Sequence, residues 1–148
     1  TAGHGLHFNL SHSGAHALVG ISRVAEIGVD IECIRPVAEL MDIAASNFAL
    51  SECRALAAFD EPLRTEAFFA CWTRKEAYVK ALGEGLSLPL QDFEVSVDPA
   101  ATVRLISVNG DGRAAEGWQL WAGRIDRGAW AAAAARSRSA QFHTLALR

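Results

Sequence analysis

One long helix in the middle of the chain constrains the fold more than any other feature of the sequence. Asp60-Glu61-Pro62 opens it and Gly83 closes it, and proline is favoured in the first turn of a helix, glycine just beyond its end. On either side of this segment, apolar and polar residues alternate with a period of two, which indicates β-strands. The sequence therefore predicts an α+β fold in which antiparallel sheet packs around a long helix.

The residues before this helix predict three strands and two short helices. We expect strands at 6–11, 15–22 and 25–32, the first two joined by a turn at 11–14. The predicted helices cover 37–45 and 51–59, the second with Ser51 as its N-cap. The chain thus enters the long helix from an α-helical connection that follows a hairpin.

The residues after the long helix favour strands. The pattern predicts them at 92–97, 103–108, 118–125, 130–134 and, at a sheet edge, 141–147. Asn109-Gly-Asp-Gly112 has the composition of a hairpin turn. Ala131–Ala135 would favour helix by propensity alone, but these alanines follow Trp130 and a turn at Gly128, so we predict a strand.

Composition excludes several classes of protein. A chain of 148 residues, 51% hydrophobic and 21% charged, is sufficient for one domain. Its 14 cationic and 17 acidic residues give a net charge of −3, which argues against nucleic-acid binding, and no apolar run approaches the roughly 20 residues of a membrane helix. Three cysteines without CxxC spacing favour a reducing, cytoplasmic location. Only two of the cationic residues are lysines, and both lie in the long helix.

Two carboxylates in the third predicted strand are candidate metal ligands. Asp30 and Glu32 lie two residues apart in Gly28-Val-Asp-Ile-Glu32, so both side chains point to the same face of the strand. Like charges on one face repel, and Mg²⁺ is commonly held by one or two carboxylates together with substrate phosphates. The alternative is a solvated edge strand.

The long helix carries a second candidate group. Phe68, Trp72, Val79 and Leu82 form an apolar stripe. Lys75 falls within that stripe, where a lysine either extends its ammonium to solvent or reaches a buried anion. Glu76 and Lys80 lie four residues apart on the adjacent face, where the alternative is an ordinary surface ion pair.

A third segment, Asn9-Leu-Ser-His-Ser-Gly14, is rich in hydrogen-bonding groups. The Ser11 hydroxyl, the His12 ring and backbone N–H groups near the glycine could bind an anion. The alternative is a simple hairpin turn. His4, His7, His12 and His16 do not have the spacing of a transition-metal site.

Taken together, these segments resemble the 4′-phosphopantetheinyl transferases of the larger, surfactin-synthetase-activating type. Order, spacing and residue type agree over positions 8–97. The matching residues are Phe8-Asn-Leu-Ser-His-Ser13, Gly28-Val-Asp-Ile-Glu32, Phe48 with Glu52, Trp72-Thr-Arg-Lys-Glu-Ala-Tyr-Val-Lys80 and Gly83-Glu-Gly-Leu-Ser-Leu-Pro89.

The resemblance implies a Mg²⁺-dependent transferase. Such enzymes move the 4′-phosphopantetheine arm of coenzyme A to a serine of an acyl or peptidyl carrier protein and release 3′,5′-ADP. By the same resemblance, Asp30, Glu32 and Glu76 hold the metal with the coenzyme A pyrophosphate. Glu76 is also the leading candidate to activate the carrier serine, directly or through a metal-bound water.

The resemblance also assigns the cationic and hairpin residues. Lys75 and Lys80 would act on the pyrophosphate and the departing ADP. Ser11 and His12 would bind coenzyme A phosphates, with His12 at the 3′-phosphate. A compact ammonium suits a phosphate contact that does not require the planar fork of arginine.

Members of this type consist of two similar halves with the active site at their junction. Residues 1–27 correspond to the end of the first half and residues 28–148 to the second. We therefore expect a longer chain or a partner chain to supply the remainder of the first half, and apolar surface to be exposed where that half would pack.

Two other functions remain open at this point. A non-catalytic fragment could bind coenzyme A or a carrier protein without turnover, as the absence of most of the first half would favour. A metal-dependent phosphohydrolase would use similar carboxylates, but the sequence has no evident second metal site.

Overall fold

The structure, a computed structural model, describes residues 5–83 and 88–147. In this part of the chain there are three α-helices: α1 (Leu40–Asn47), α2 (Leu50–Ala57) and α3 (Leu63–Leu82). The strands are β1 (His7–Ser13), β2 (His16–Ser22), β3 (Ile27–Cys33), β4 (Phe93–Val95), β5 (Leu105–Val108), β6 (Gln119–Ile125) and β7 (Ala129–Ala135). None of the described helices combines the length and the apolar character needed to cross a membrane.

The predicted long helix is α3, and it is the centre of the core. It follows Pro62 and ends at Gly83, whose φ of 88° is a conformation that glycine adopts without strain. Buried side chains occupy most of its circumference, among them Phe68, Phe69 and Tyr78, as expected for a helix enclosed by other elements. The predicted α+β architecture is confirmed.

The main sheet has the strand order β3-β7-β6 and is antiparallel throughout. The predicted alanine strand is confirmed as part of β7, the central strand, in which every residue is buried. On β3, a Cβ at Gly28 would overlap backbone atoms of Ala77 and Ala81 in α3. The absence of a side chain at Gly28 therefore allows α3 to lie directly against β3.

β1 and β2 form the predicted hairpin, but its turn differs from the prediction. The turn lies at 14–15 rather than 11–14, so Ser11 and His12 are strand residues. Alternate polar side chains of β1 face the edge of β3 and accept hydrogen bonds from its backbone. The pairs are Val29 N–H to Asn9 Oδ1 (2.9 Å), Ile31 N–H to Ser11 Oγ (3.2 Å) and Cys33 N–H to Ser13 Oγ (3.0 Å). These side chains thus cover the outer edge of β3.

The prediction of a hairpin at Asn109–Gly112 is wrong. β5 pairs with β4, whereas β6 pairs with β7 in the main sheet. Local hydrogen bonds stabilise this turn. Val108 N–H donates to the Asp111 carbonyl (3.1 Å), and Arg113 N–H donates to Asp111 Oδ1 (2.8 Å). A 3-10 turn at Arg113–Ala115 follows, and the chain then passes to the main sheet.

Two further local predictions are wrong. Residues 141–147 form no strand, and Leu145 and Leu147 are 92% and 96% exposed, so ordering this segment would bury little apolar surface. Ser51 is not the N-cap of α2; that position is Ala49. The Glu52 carboxylate accepts the Ala49 N–H at 2.8 Å and satisfies the helix end instead.

Candidate active site

Asp30 is the centre of the candidate site, and it is 5% exposed in the middle of β3. Its Oδ1 accepts hydrogen bonds from Lys80 Nζ (2.7 Å) and Ser11 Oγ (3.1 Å). Its Oδ2 is buried without a protein partner. A buried carboxylate oxygen without a partner carries a large desolvation cost, so this atom indicates a ligand position.

Glu32 lies on the same side of β3, nearer to solvent. Ser13 Oγ donates to Glu32 Oε2 at 3.2 Å, and the exposed Arg35 guanidinium lies 3.5 Å from the same oxygen. The predicted shared face of Asp30 and Glu32 thus agrees with the structure, and each carboxylate is oriented by a serine of β1.

Glu76 approaches this pair from α3. Burial is the main cause that raises the pKa of Glu76, and the charges of Asp30 and Glu32 raise it further, whereas Lys80 lowers it. The pKa of Asp30 is also raised, again mainly by burial, with Lys80 and Ser11 opposing that effect. Burial first, and the charges of neighbouring carboxylates second, therefore oppose ionisation of Asp30 and Glu76.

These carboxylates suit a hard divalent cation in donor type. Within residues 5–83 and 88–147, no three metal-ligating side chains are already close enough to form a site as they stand. The unpartnered Asp30 Oδ2 and the mutual repulsion of the acids are nevertheless what an added Mg²⁺ would relieve. The donor types therefore suit the metal, and binding it requires these side chains to move from the positions shown.

Lys80 also lines a cleft. It has a volume of about 570 Å³ and opens between the start of β1, the start of β3 and the end of α3. Asn9, Glu26, Ile27 and Val79 are among its lining residues. The sequence did not reveal this cleft, because its walls come from three segments that are separated in the chain.

The structure does not bring Lys75 to this cluster. Its ammonium is fully buried and donates to both oxygens of Glu52 (2.8 and 2.7 Å) and to the Phe93 carbonyl oxygen (2.6 Å). An ammonium has three N–H donors, and these three acceptors use all of them. Of the two interpretations of a lysine in the apolar stripe, the structure shows the buried anion, and that anion is the Glu52 carboxylate.

Ser11 and His12 lie on opposite faces of β1. Ser11 is buried against Asp30, whereas His12 is exposed on the outer face of the hairpin. Sequence reasoning did not single out Ser13 and Arg35 as partners of Glu32. The spacing Asn9-x-Ser11-x-Ser13 was the available signal, since a period of two in a strand puts all three polar side chains on one face.

The chain matches proteins of one superfamily. A family model described as the 4′-phosphopantetheinyl transferase superfamily matches residues 26–135. The 4′-phosphopantetheinyl transferase HetI of Nostoc sp. is 37% identical over 101 residues, which cover 68% of this chain and 42% of HetI. The 4′-phosphopantetheinyl transferase Sfp of Bacillus subtilis is 39% identical over 89 residues, 60% of this chain and 38% of Sfp. The chain thus spans less than half the length of these relatives.

A solved structure shares the fold. The holo-(acyl-carrier-protein) synthase from Bacillus anthracis, in complex with CoA (3′,5′-ADP), superposes with a TM-score of 0.60 and 23% sequence identity. The similarity covers 76% of this chain and 96% of that one. Because the family model accounts for far more than half of the chain, this protein belongs to the 4′-phosphopantetheinyl transferase superfamily.

Proposed function

We propose that this chain carries the metal-binding half of a 4′-phosphopantetheinyl transferase. The reaction transfers the 4′-phosphopantetheine arm of coenzyme A to a serine of an acyl or peptidyl carrier protein and releases 3′,5′-ADP. The observation that carries the proposal is the cluster of Asp30, Glu76 and Lys80, in which Lys80 also lines an open cleft. Membership of the superfamily and the activities named for its relatives support it.

The chemistry requires stabilisation of negative charge at a phosphoryl centre. The serine Oγ bonds to the phosphorus that bears the arm, the bond from that phosphorus to the bridging oxygen breaks, and 3′,5′-ADP leaves with the electron pair. Bound Mg²⁺ would supply electrostatic stabilisation of the phosphate oxygens. Asp30, Glu32 and Glu76 are the residues proposed to hold it.

The remaining residues have separate proposed roles. Lys80, 30% exposed in its side chain, would turn its ammonium from Asp30 to the coenzyme A pyrophosphate and stabilise the leaving ADP. Glu76 is the proposed acceptor of the serine proton. Ser11 orients Asp30 by its hydrogen bond. For Lys75, the geometry favours a structural role over direct contact with phosphate.

The outer face of the hairpin is the proposed contact with a first half. Phe8 is 74% exposed and stands opposite Ile21, and Leu10 stands opposite Val19. Exposed apolar pairs of this kind mark an interaction surface. We propose that residues 1–27 end a first half, that 28–148 form the second, and that the remainder of the first half covers this face in the same chain or as a partner. His12 shares the face and would meet the 3′-phosphate there.

A cytoplasmic location is part of the proposal. Cys33, Cys53 and Cys71 are all free thiols, which supports a reducing compartment. Carrier proteins and coenzyme A are the proposed partners.

Mass spectrometry of a carrier protein tests the proposed function. The apo carrier protein is incubated with coenzyme A, Mg²⁺ and either this chain or a longer chain that includes a first half. We expect conversion to the holo form with at least one of them, loss of conversion in Asp30→Ala and Glu76→Ala by roughly a hundredfold or more, and loss on chelation of Mg²⁺.

Glu66→Gln is the matched control, since Glu66 lies on the same helix and pairs with Arg124 at 3.1 Å. It should convert the carrier protein at the wild-type rate. Metal-independent binding of coenzyme A without conversion by either chain would instead identify a non-catalytic binding protein, and phosphate release without a carrier protein would identify a hydrolase.

A further inference from the structure

A thiol, an imidazole and a carboxylate meet at the turn end of the β1–β2 hairpin. Cys33 Sγ lies 3.7 Å from His16 Nδ1, and His16 Nε2 lies 2.9 Å from Asp126 Oδ2. Cys33 ends β3, His16 begins β2 and Asp126 lies in the turn between β6 and β7. Three elements distant in sequence therefore align these groups, and none of the three residues belongs to the proposed transferase machinery.

The hydrogen bonds determine which imidazole nitrogen can accept a proton. An ionised Asp126 carboxylate only accepts hydrogen bonds, so His16 Nε2 carries the proton and the lone pair of Nδ1 faces the Cys33 thiol. Asp126 is held in turn, because its Oδ1 accepts the Gly128 N–H at 2.7 Å. The order nucleophile, base and orienting carboxylate is the arrangement of an activated nucleophile.

The Cys33 thiol is accessible, and the other two cysteines of the chain serve as internal controls. Cys33 is partly exposed, and the side chains of His16 and Asp126 are 28% and 61% exposed. Cys33 Sγ also contacts the Ser13 carbonyl oxygen at 3.2 Å. Cys53 is likewise partly exposed and contacts the Phe48 carbonyl oxygen at 3.9 Å, but it has no imidazole contact. Cys71 is fully buried. Solvent access alone therefore would not give Cys33 and Cys53 different rates of modification. Activation by the imidazole would make Cys33 the faster of the two.

We propose that Cys33 is a modification site that reacts with low-molecular-weight disulfides, with His16 as its base. The thiol proton moves to His16 Nδ1, and Cys33 Sγ bonds to one sulfur of the disulfide while the S–S bond breaks. The other half leaves as a thiolate and takes up the proton from the imidazolium, so one thiol is consumed and one is released. Glutathione disulfide and coenzyme A disulfide share this chemistry.

The experiment compares the three thiols within one molecule. The reduced 148-residue chain is incubated with glutathione disulfide in one arm and coenzyme A disulfide in the other, quenched with acid and mapped by peptide mass spectrometry. We expect Cys33 to be modified about tenfold faster than Cys53 in both arms. His16→Ala should slow Cys33 about tenfold and leave Cys53 unchanged, and Asp126→Asn should slow Cys33 less.

His143→Ala is the control for removal of an exposed imidazole elsewhere, and it should leave all rates unchanged. Equal rates for Cys33 and Cys53 in the wild-type chain would overturn the proposal without any variant, so the test holds even if His16→Ala fails to fold. Reaction confined to coenzyme A disulfide and unaffected by His16→Ala would also overturn it, since ligand binding would then direct the modification.

Discussion

Single residues in the candidate site show an imbalance of charge. Three carboxylates, Asp30, Glu32 and Glu76, influence one another, and the cations in direct contact with them are Lys80 and the exposed Arg35. Burial raises the pKa of Asp30 and Glu76, which means that the folded chain resists ionisation of both groups. A divalent cation or a proton would each relieve this repulsion.

Glu76→Gln should therefore flatten the dependence of stability on pH when divalent cations are absent. The folded-state pKa of Glu76 lies above its ordinary value of 4.5, so between the two values the folded chain binds more protons than the unfolded chain. The free energy of unfolding of the wild type consequently falls as pH rises through that range. Glutamine carries no charge and removes this contribution, so the variant should be the more stable chain at neutral pH.

Urea unfolding in EDTA, from about pH 4 to about pH 8, measures the effect. In the control Glu66→Gln, the free energy of unfolding should fall with rising pH as it does in the wild type. Added Mg²⁺ should stabilise the wild type at neutral pH more than Glu76→Gln, because a ligand that binds the folded state stabilises it and the variant lacks one proposed ligand of the metal. An identical pH profile in the wild type and Glu76→Gln would contradict the raised pKa of Glu76.

At the scale of secondary-structure elements, one buried ion pair joins three of them. The Glu52 carboxylate on α2 accepts hydrogen bonds from the ammonium of Lys75 on α3 and from the N–H of Val95 on β4 (2.8 Å). Lys75 also donates to Phe93 of β4 and lies 4.2 Å from the centre of its ring. The pair fixes α3 relative to α2 and β4, and Glu76 is the next residue along α3.

Lys75→Met should destabilise the chain by about 3 to 5 kcal/mol, because it leaves the Glu52 carboxylate buried without a cation. Arg124→Met is the matched control, because it removes the exposed ion pair of Arg124 with Glu66 on α3. It should lower the free energy of unfolding by about 1 kcal/mol or less. The double variant Glu52→Gln with Lys75→Met should be more stable than Lys75→Met alone. Equal midpoints of urea unfolding for Lys75→Met and Arg124→Met would contradict a structural role for the pair.

The same elements show what the sequence could predict. Gly83, the alanine strand and the shared face of Asp30 and Glu32 follow from local geometry, and the structure agrees with all three. The partner of Lys75 is 23 residues distant, so no local pattern distinguishes a buried ammonium from one that contacts a ligand. The prediction of a hairpin at Asn109–Gly112 was wrong because strand pairing also depends on distant residues. Composition predicts a turn, but it does not determine which strands pair on either side of it.

For the whole molecule, the β1–β2 hairpin separates two environments. Its inner face places Asn9, Ser11 and Ser13 on the backbone of β3. Its outer face presents Phe8, Leu10, Val19 and Ile21 to solvent. A hairpin with one polar and one apolar face is compatible with the proposed position between β3 and the remainder of a first half.

The isolated chain should therefore self-associate through the outer face of the hairpin. Leu10 and Val19 stand directly opposite each other, so Leu10→Glu with Val19→Lys replaces an apolar cross-strand pair by an ion pair and should keep the hairpin register. Sedimentation velocity should show association of the wild-type chain and a monomeric double variant with an unchanged far-UV circular dichroism spectrum. Leu145→Glu with Leu147→Lys alters two leucines outside the hairpin that are more exposed than Leu10 and Val19, and this variant should associate as the wild type does. The opposite result, a monomeric control and a hairpin variant that still associates, would show that the chain self-associates through its C-terminal segment. The hairpin would then not be the contact with a first half.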